Sequence, residues 1–179
     1  HVLIRPRPGD FVYSDDEFEV MKRDILLARQ LGANGFVLGI LQASGEIDVM
    51  RTRELVELAR PLPVTFHRAF DATPDFDQAL DAVRKTGAVR ILTSGGAPDA
   101  ATGIATLARF VKHAGESLTI LPGGGIRTSN VARILNETNA REVHTSLQSS
   151  QPPLDPKQAP FGSTAAKSQS PAPRHAPAR

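Results

Sequence analysis

Two residue clusters and two glycine runs hold most of the side chains able to do chemistry. The first cluster is Ile4-Arg5-Pro6-Arg7-Pro8-Gly9-Asp10-Phe11, a short apolar run that breaks into a loop. Residues two apart on a strand face the same way, so Leu3, Arg5 and Arg7 share a side. Two guanidinium groups placed so could clamp a carboxylate or a phosphate. The same residues also fit a barrel rim whose arginines are bridged to Asp10, because a Pro-Arg-Pro-Gly turn needs its prolines for geometry alone.

The second cluster is Thr65-Phe66-His67-Arg68-Ala69-Phe70-Asp71. On strand parity Thr65, His67 and Asp71 align. An imidazole then stands at the end of an apolar strand with a carboxylate nearby, a general acid or base that Asp71 orients. A histidine hydrogen-bonded for structure alone is the plain alternative. The glycine runs are Leu92-Thr93-Ser94-Gly95-Gly96 and Pro122-Gly123-Gly124-Gly125-Ile126. Glycines directly after a strand leave backbone N–H groups free to approach an anion, and a helix starting at Thr128 or Ser129 would add its dipole. Tight turns between strand and helix need glycine too, so the anion reading, begun at Arg5, Arg7 and Asp10, extends to Arg68, Thr93, Ser94, Gly123, Gly124, Gly125 and Ser146 as a set rather than to any one. Beyond them His144 and Ser146 share a parity in a final apolar run. His67 and His144 are the imidazoles a metal could use, against an equally good reading of His144 as a packed or rim residue. His1, His113 and His175 fall in no pattern, and there is no HExxH, no Walker-type GxxxxGK and no helical His pair at ligand spacing.

These residues must be held by elements, and the chain alternates short β-rich runs with amphipathic stretches. Val2-Leu3-Ile4, Gly35-Phe36-Val37-Leu38, Val64-Thr65-Phe66, Arg90-Ile91-Leu92, Leu118-Thr119-Ile120-Leu121 and Glu142-Val143-His144 are six strand candidates, recurring at about the length of one βα unit. Between them, Ser14 with Glu17 reads as a capping box for a helix with Phe18, Met21, Ile25 and Ala28 on one face and Gly32 at its end. Asp48 can cap a second helix, which ends before Pro61. Thr73-Pro74 reads as the start of a third, carrying Phe76, Ala79, Leu80 and Val83 up to Gly87. Ile104, Leu107, Ala108 and Val111 mark a fourth, and Val131, Ile134 and Leu135 a fifth. Strict alternation implies parallel strands with right-handed crossovers. A doubly wound sheet gathers ligand contacts at one switch point, whereas a barrel collects them from several strand ends. Here nearly every strand ends in polar residues or glycine, so the expected class is α/β, a (β/α)8 TIM-barrel type with six of its units and therefore incomplete.

Composition sets further bounds. At 179 residues the chain is short for a full barrel, which needs about 250. The net charge is +2, yet residues 151–179 carry a balance of +3 and leave −1 for residues 1–150. A nearly neutral body without Trp gives no electrostatic or stacking case for nucleic acid. No apolar run approaches the roughly 20 residues that span a bilayer, and no signal peptide is visible. Zero Cys excludes disulfides and thiolate metal ligands within this chain and suits a reducing, cytoplasmic setting. Residues 151–179 hold seven of the 14 prolines, so the division expected is a partial barrel over 1–147 and a disordered Pro/Ala/Ser-rich tail over 148–179. Because the chain opens at His1 inside an apolar run, the true N-terminus is expected to lie upstream. A barrel lacking units would expose apolar edges and favour self-association into a homo-oligomer.

IRPRPGDFVYSDDE, LPVTFHRAFD, RILTSGG, PGGGI and EVHTS, in this order, resemble the signature segments of the CutC family over about residues 1–147. The resemblance implies a (β/α)8 barrel, a cytoplasmic location, and a role in copper homeostasis with Cu(I) binding. It also implies that the six strands correspond to the third through eighth, with a preceding region supplying two units and cysteines proposed as copper ligands. The residues themselves leave a second reading open: an enzyme acting on a small phosphorylated or carboxylated metabolite through the Arg/His/Asp/glycine-loop set.

Overall fold

The structure is a computed structural model and describes residues 1–146. The Pro-rich tail expected to be disordered lies outside the described residues. Five strands, β1 (Val2–Leu3), β2 (Phe36–Leu38), β3 (Val64–Phe66), β4 (Arg90–Thr93) and β5 (Thr119–Pro122), form one sheet in the order β1-β2-β3-β4-β5. All four pairings are parallel. Each new strand adds on the same side as the last, so the order never reverses and no switch point arises. Sequential growth of this kind is how a (β/α)8 barrel is built, and the described residues form an incomplete one. The sixth expected strand is reduced to a single parallel bridge, Gly123 with His144. It is held by a His144 N–H to Pro122 O bond of 2.8 Å and by the Arg90 guanidinium on Glu142 at 2.8 Å.

The helices are α1 (Asp15–Gln30), α2 (Val49–Ala59), α3 (Phe76–Thr86), α4 (Ile104–Ala114) and α5 (Val131–Thr138). The α1 capping box forms as expected: the Ser14 hydroxyl accepts from the Glu17 amide, and the Glu17 carboxylate accepts from the Ser14 amide at 2.8 Å. Asp48 caps α2 by accepting from the Arg51 amide at 2.9 Å. The third helix starts later than Thr73-Pro74 suggests. Asp75 is its N-cap, accepting from the Asp77 and Gln78 amides. Thr73 instead closes a 3-10 turn, Arg68–Ala72, by donating its N–H and hydroxyl to Phe70 O at 3.2 and 2.9 Å.

Strand residues of one parity, Phe36, Leu38, Val64, Phe66, Ile91 and Ile120, are buried in one cluster with Met21, Ile25, Leu55, Leu80, Val83, Leu107, Phe110 and Ile134 from the helices. This apolar layer fixes the strand-to-helix spacing and drives folding in proportion to the area it removes from water. Phe70 in the 3-10 turn is anchored to two helices at once, stacked on Phe76 at 5.7 Å and edge-on to Phe110 at 5.4 Å. That anchor decides where Arg68 and Asp71, on the same turn, point.

Candidate functional site

Parallel strands bring their C-terminal ends together, and the polar residues of the described chain gather there in two neighbouring groups. The first is built around Asp71. Its carboxylate accepts from Arg68 Nε at 2.7 Å, from the Thr93 hydroxyl, from the Ser94 amide at 3.1 Å, from the Ser94 hydroxyl at 3.2 Å and from the Gly96 amide at 3.1 Å. Arg68 Nη2 also donates to Ser94 Oγ at 2.8 Å. The β4 loop is therefore pinned to the 3-10 turn by a carboxylate whose lone pairs are all engaged. Gly124 passes close by: a Cβ there would stand 3.4 Å from Arg68 Nη1 and 3.6 Å from Ser94 Cβ, and its φ of +98° is a conformation only glycine adopts freely. Gly123 donates to Thr93 O at 2.9 Å, which ties the triple-glycine loop to β4. Gly125 packs on Asp99, whose carboxyl is held below its usual range by the Thr102 amide.

The second group surrounds His67. This histidine directly follows β3 and caps the 3-10 turn, its Nδ1 accepting from the Ala69 amide at 3.2 Å. Because Nδ1 accepts, the ring proton sits on Nε2, and Nε2 is buried without a partner. Burial, with a smaller contribution from the Arg5 charge, pushes the imidazole down to about 4, so it is neutral at pH 7. The Phe11 ring lies 4.9 Å from the His67 ring, and the Arg5 guanidinium sits 4.7 Å from the centre of the Phe11 ring. Gly39, just after β2, is the floor: a Cβ there would fall 2.5 Å from His67 Nδ1. Burial raises the Tyr13 phenol, opposed by the Arg5 charge beside it.

The expected pairing of His67 with Asp71 is not made. Beyond His67 the chain leaves the extended conformation for the 3-10 turn, so strand parity no longer applies, and Asp71 bonds Arg68, Thr93, Ser94 and Gly96 instead. Arg5 and Arg7 do not form a joint clamp either. Arg7 reaches Glu17 at 2.5 Å, Asp10 at 2.8 Å and Val12 O at 2.7 Å, whereas Arg5 turns to Gly9 O at 2.6 Å. The Arg7 bond is the main cause that lowers the Asp10 carboxyl. His144 lies at the bridge to Gly123, beside the triple-glycine loop, and Ser146 in the segment after it; neither bonds the Asp71 carboxylate or the His67 ring. Tyr13 and Gly39 belong to the site although residue patterning does not single them out, whereas Gly96 lies in the glycine run after β4. A glycine directly after β2 is the signal that could have found Gly39.

Sequential parallel strands with polar residues converging at one end define this chain as a barrel protein of the (β/α)8 type. An aldolase structure shares that fold at a TM-score of 0.60 and 18% identity, covering 79% of this chain and 65% of its own. A CutC crystal structure from Streptococcus agalactiae superposes at a TM-score of 0.76 with 35% identity over 79% of this chain and 70% of that one. The chain belongs to the CutC family, whose sequence model matches residues 1–149. A family protein CutC of Chromobacterium violaceum is 48% identical over 148 residues, 83% of this chain and 60% of the relative. The copper homeostasis protein cutC homologs of Mus musculus and Homo sapiens are 48% and 47% identical, with 83% of this chain matching 55% and 54% of theirs. The chain thus spans somewhat more than half the length of these relatives.

Proposed function

We propose that the chain serves copper homeostasis in the cytosol as part of a CutC-family barrel. The observation that carries this reading is the family membership together with the name that its mammalian relatives bear. Copper in such a role is cargo rather than a resident cofactor, and Cu(I) prefers thiolate and thioether ligands. The chain has no Cys. Of its two methionines, Met21 is sealed in the core and Met50 is exposed in α2. With His67 Nδ1 accepting from the Ala69 amide, its buried Nε2 carries the proton and presents no lone pair to a metal, and His144 is bridged to Gly123 beside β5. Among the described residues no group of three His, Cys, Asp or Glu side chains is placed to hold a metal. These residues do not fit a preformed copper centre, so the copper role we propose does not depend on one within residues 1–146.

Two measurements test this. Deleting the gene that encodes the chain should raise the copper sensitivity of the cell, and unchanged growth across a copper series would overturn the homeostasis reading. Competition against a colorimetric Cu(I) chelator should show weak capture by the purified chain. Tight stoichiometric capture would mean that a centre exists after all, and His67→Asn and His144→Asn would then locate it.

A further inference from the structure

Three buried donors of the His67 group, on Arg5 Nε, Tyr13 Oη and His67 Nε2, have no acceptor among the described residues. Buried polar atoms in folded proteins are almost always paired, so three orphans around one ring are a signal rather than noise. We propose that Arg5, Tyr13 and His67 form a binding site for a small carboxylate, seated against the Phe11 ring at the C-terminal mouth of the strands. The site goes beyond the copper role and requires no metal.

Hydrogen-bonding capacity sets the ligand class first. A guanidinium can only donate. The Tyr13 oxygen accepts from Arg5, and the phenol, raised by burial, stays protonated and still has its O–H to give. His67 Nδ1 is already used by the Ala69 amide, so its Nε2 offers an N–H. Three donors without acceptors call for an oxygen ligand. Tyr13 and His67 are only 4% and 6% exposed, so bulk water does not satisfy them.

Charge narrows the class. Two other arginines at this end are neutralised: Arg7 by Asp10 and Glu17, Arg68 by Asp71. Arg5 makes no ion pair among the described residues, and its hydrogen bonds go to neutral oxygens, Gly9 O and the Tyr13 hydroxyl. A half-buried cation without a counter-ion is costly, and a bound anion removes that cost. With His67 neutral the site offers a single positive charge. That matches a monoanionic carboxylate better than a phosphate dianion, which would bring a second negative charge into a place that cannot compensate it. Phe11, in contact with both Arg5 and His67, gives apolar surface for the carbon adjoining the carboxylate. Gly39 keeps the His67 ring in place, since any side chain there would collide with it. Arg5 Nη2 donates to Gly9 O at 2.6 Å, and entry of a ligand exchanges that contact for the carboxylate.

The test is titration of the full chain with acetate and pyruvate, followed by the His67 imidazole resonances and by thermal midpoint, with sodium chloride and inorganic phosphate as matched controls. Saturable movement of the His67 signals and a raised midpoint with a carboxylate, absent with chloride, is the expected result. Arg5→Met should lower carboxylate affinity at least about tenfold, the weight of one charge-assisted hydrogen bond, while the ligand-free chain stays folded because an uncompensated charge has been removed. Tyr13→Phe supplies a second, gentler variant if Arg5→Met fails to fold, with a smaller loss of affinity in the same direction. The proposal is overturned if carboxylate and chloride act alike, if phosphate binds as well as carboxylate, or if both variants bind carboxylate like the parent. None of these results touches the copper measurements, which read a different ligand.

Discussion

Replacing Asp71 with Ala removes the acceptor that pins the β4 loop, and the structure allows the cost to be worked out. Two donors become orphaned in places water does not reach: the Thr93 hydroxyl and the Ser94 amide, on residues that are both 0% exposed. Each buried donor left without a partner costs about 1–3 kcal/mol. The Gly96 amide lies nearer the surface and can turn to water. The Arg68 side chain is 43% exposed, so its pairing with Asp71 is screened and adds at most about 1 kcal/mol. Part of the loss is recovered if water enters the space left by the carboxylate. The expected destabilisation is therefore about 3 kcal/mol, which for a domain of this size lowers the thermal midpoint by roughly 6–12 °C. Urea unfolding followed by circular dichroism measures it, with Arg68→Met as the control that removes the ion pair but leaves the buried donors satisfied. The reasoning is refuted if Asp71→Ala costs less than about 1 kcal/mol, or if Arg68→Met costs as much as Asp71→Ala.

Further outcomes follow from the His67 group and its surroundings. The folded imidazole titrates near 4, against 6.5 for the ordinary group, so the unfolded chain binds the extra proton between those values. Stability from this group is complete above pH 6.5 and is lost as pH falls toward 4, by an amount on the order of 3 kcal/mol. Comparing the stability of the parent and His67→Asn at about pH 7 and about pH 5 isolates that slope, and parallel pH curves would contradict it. Gly39→Ala drives a methyl to 2.5 Å from His67 Nδ1 and 3.2 Å from Ala69 Cβ, and overpacking of this kind costs about 1–3 kcal/mol. An unchanged unfolding midpoint would show that the ring has room to move. Ser14→Ala should cost about 1 kcal/mol through loss of the α1 cap, measured by the same denaturation.

The fold was legible wherever a local rule and the tertiary structure agreed. The Ser14–Glu17 capping box and the Asp48 cap stand where residue type places them, because capping needs only neighbours three residues away. The start of the third helix is different. Thr73-Pro74 satisfies the local rule for an N-cap as well as Asp75 does, but Thr73 is claimed by the 3-10 turn, and that turn is fixed by Phe70 meeting Phe76 and Phe110. The contact with Phe110 joins residues far apart in sequence, so no window along the chain reveals it. The final apolar run, Glu142-Val143-His144, has strand composition but meets β5 at one bridge only.

The candidate site was legible in position and illegible in partnership. Residues at the ends of parallel strands must meet at one end of the sheet, which is why Arg68, Asp71, Thr93, Ser94 and Gly124 come together although they derive from three strand ends. Strand parity pairs residues only within a strand, and it lapses where the strand stops. β1 ends at Leu3, so Arg5 and Arg7 are free to turn apart. After His67 the chain winds with about three residues per turn, which brings residue i over i+3 and hands Asp71 to Arg68 rather than to His67. The decisive quantity is then which charges remain uncompensated, and only side-chain geometry answers that. Arg7 and Arg68 each found a carboxylate and serve to hold loops. Arg5, two residues past the end of β1 and chemically identical to them, found none among the described residues. Its charge, set beside two buried donors, makes it the arginine whose role points outward to a ligand.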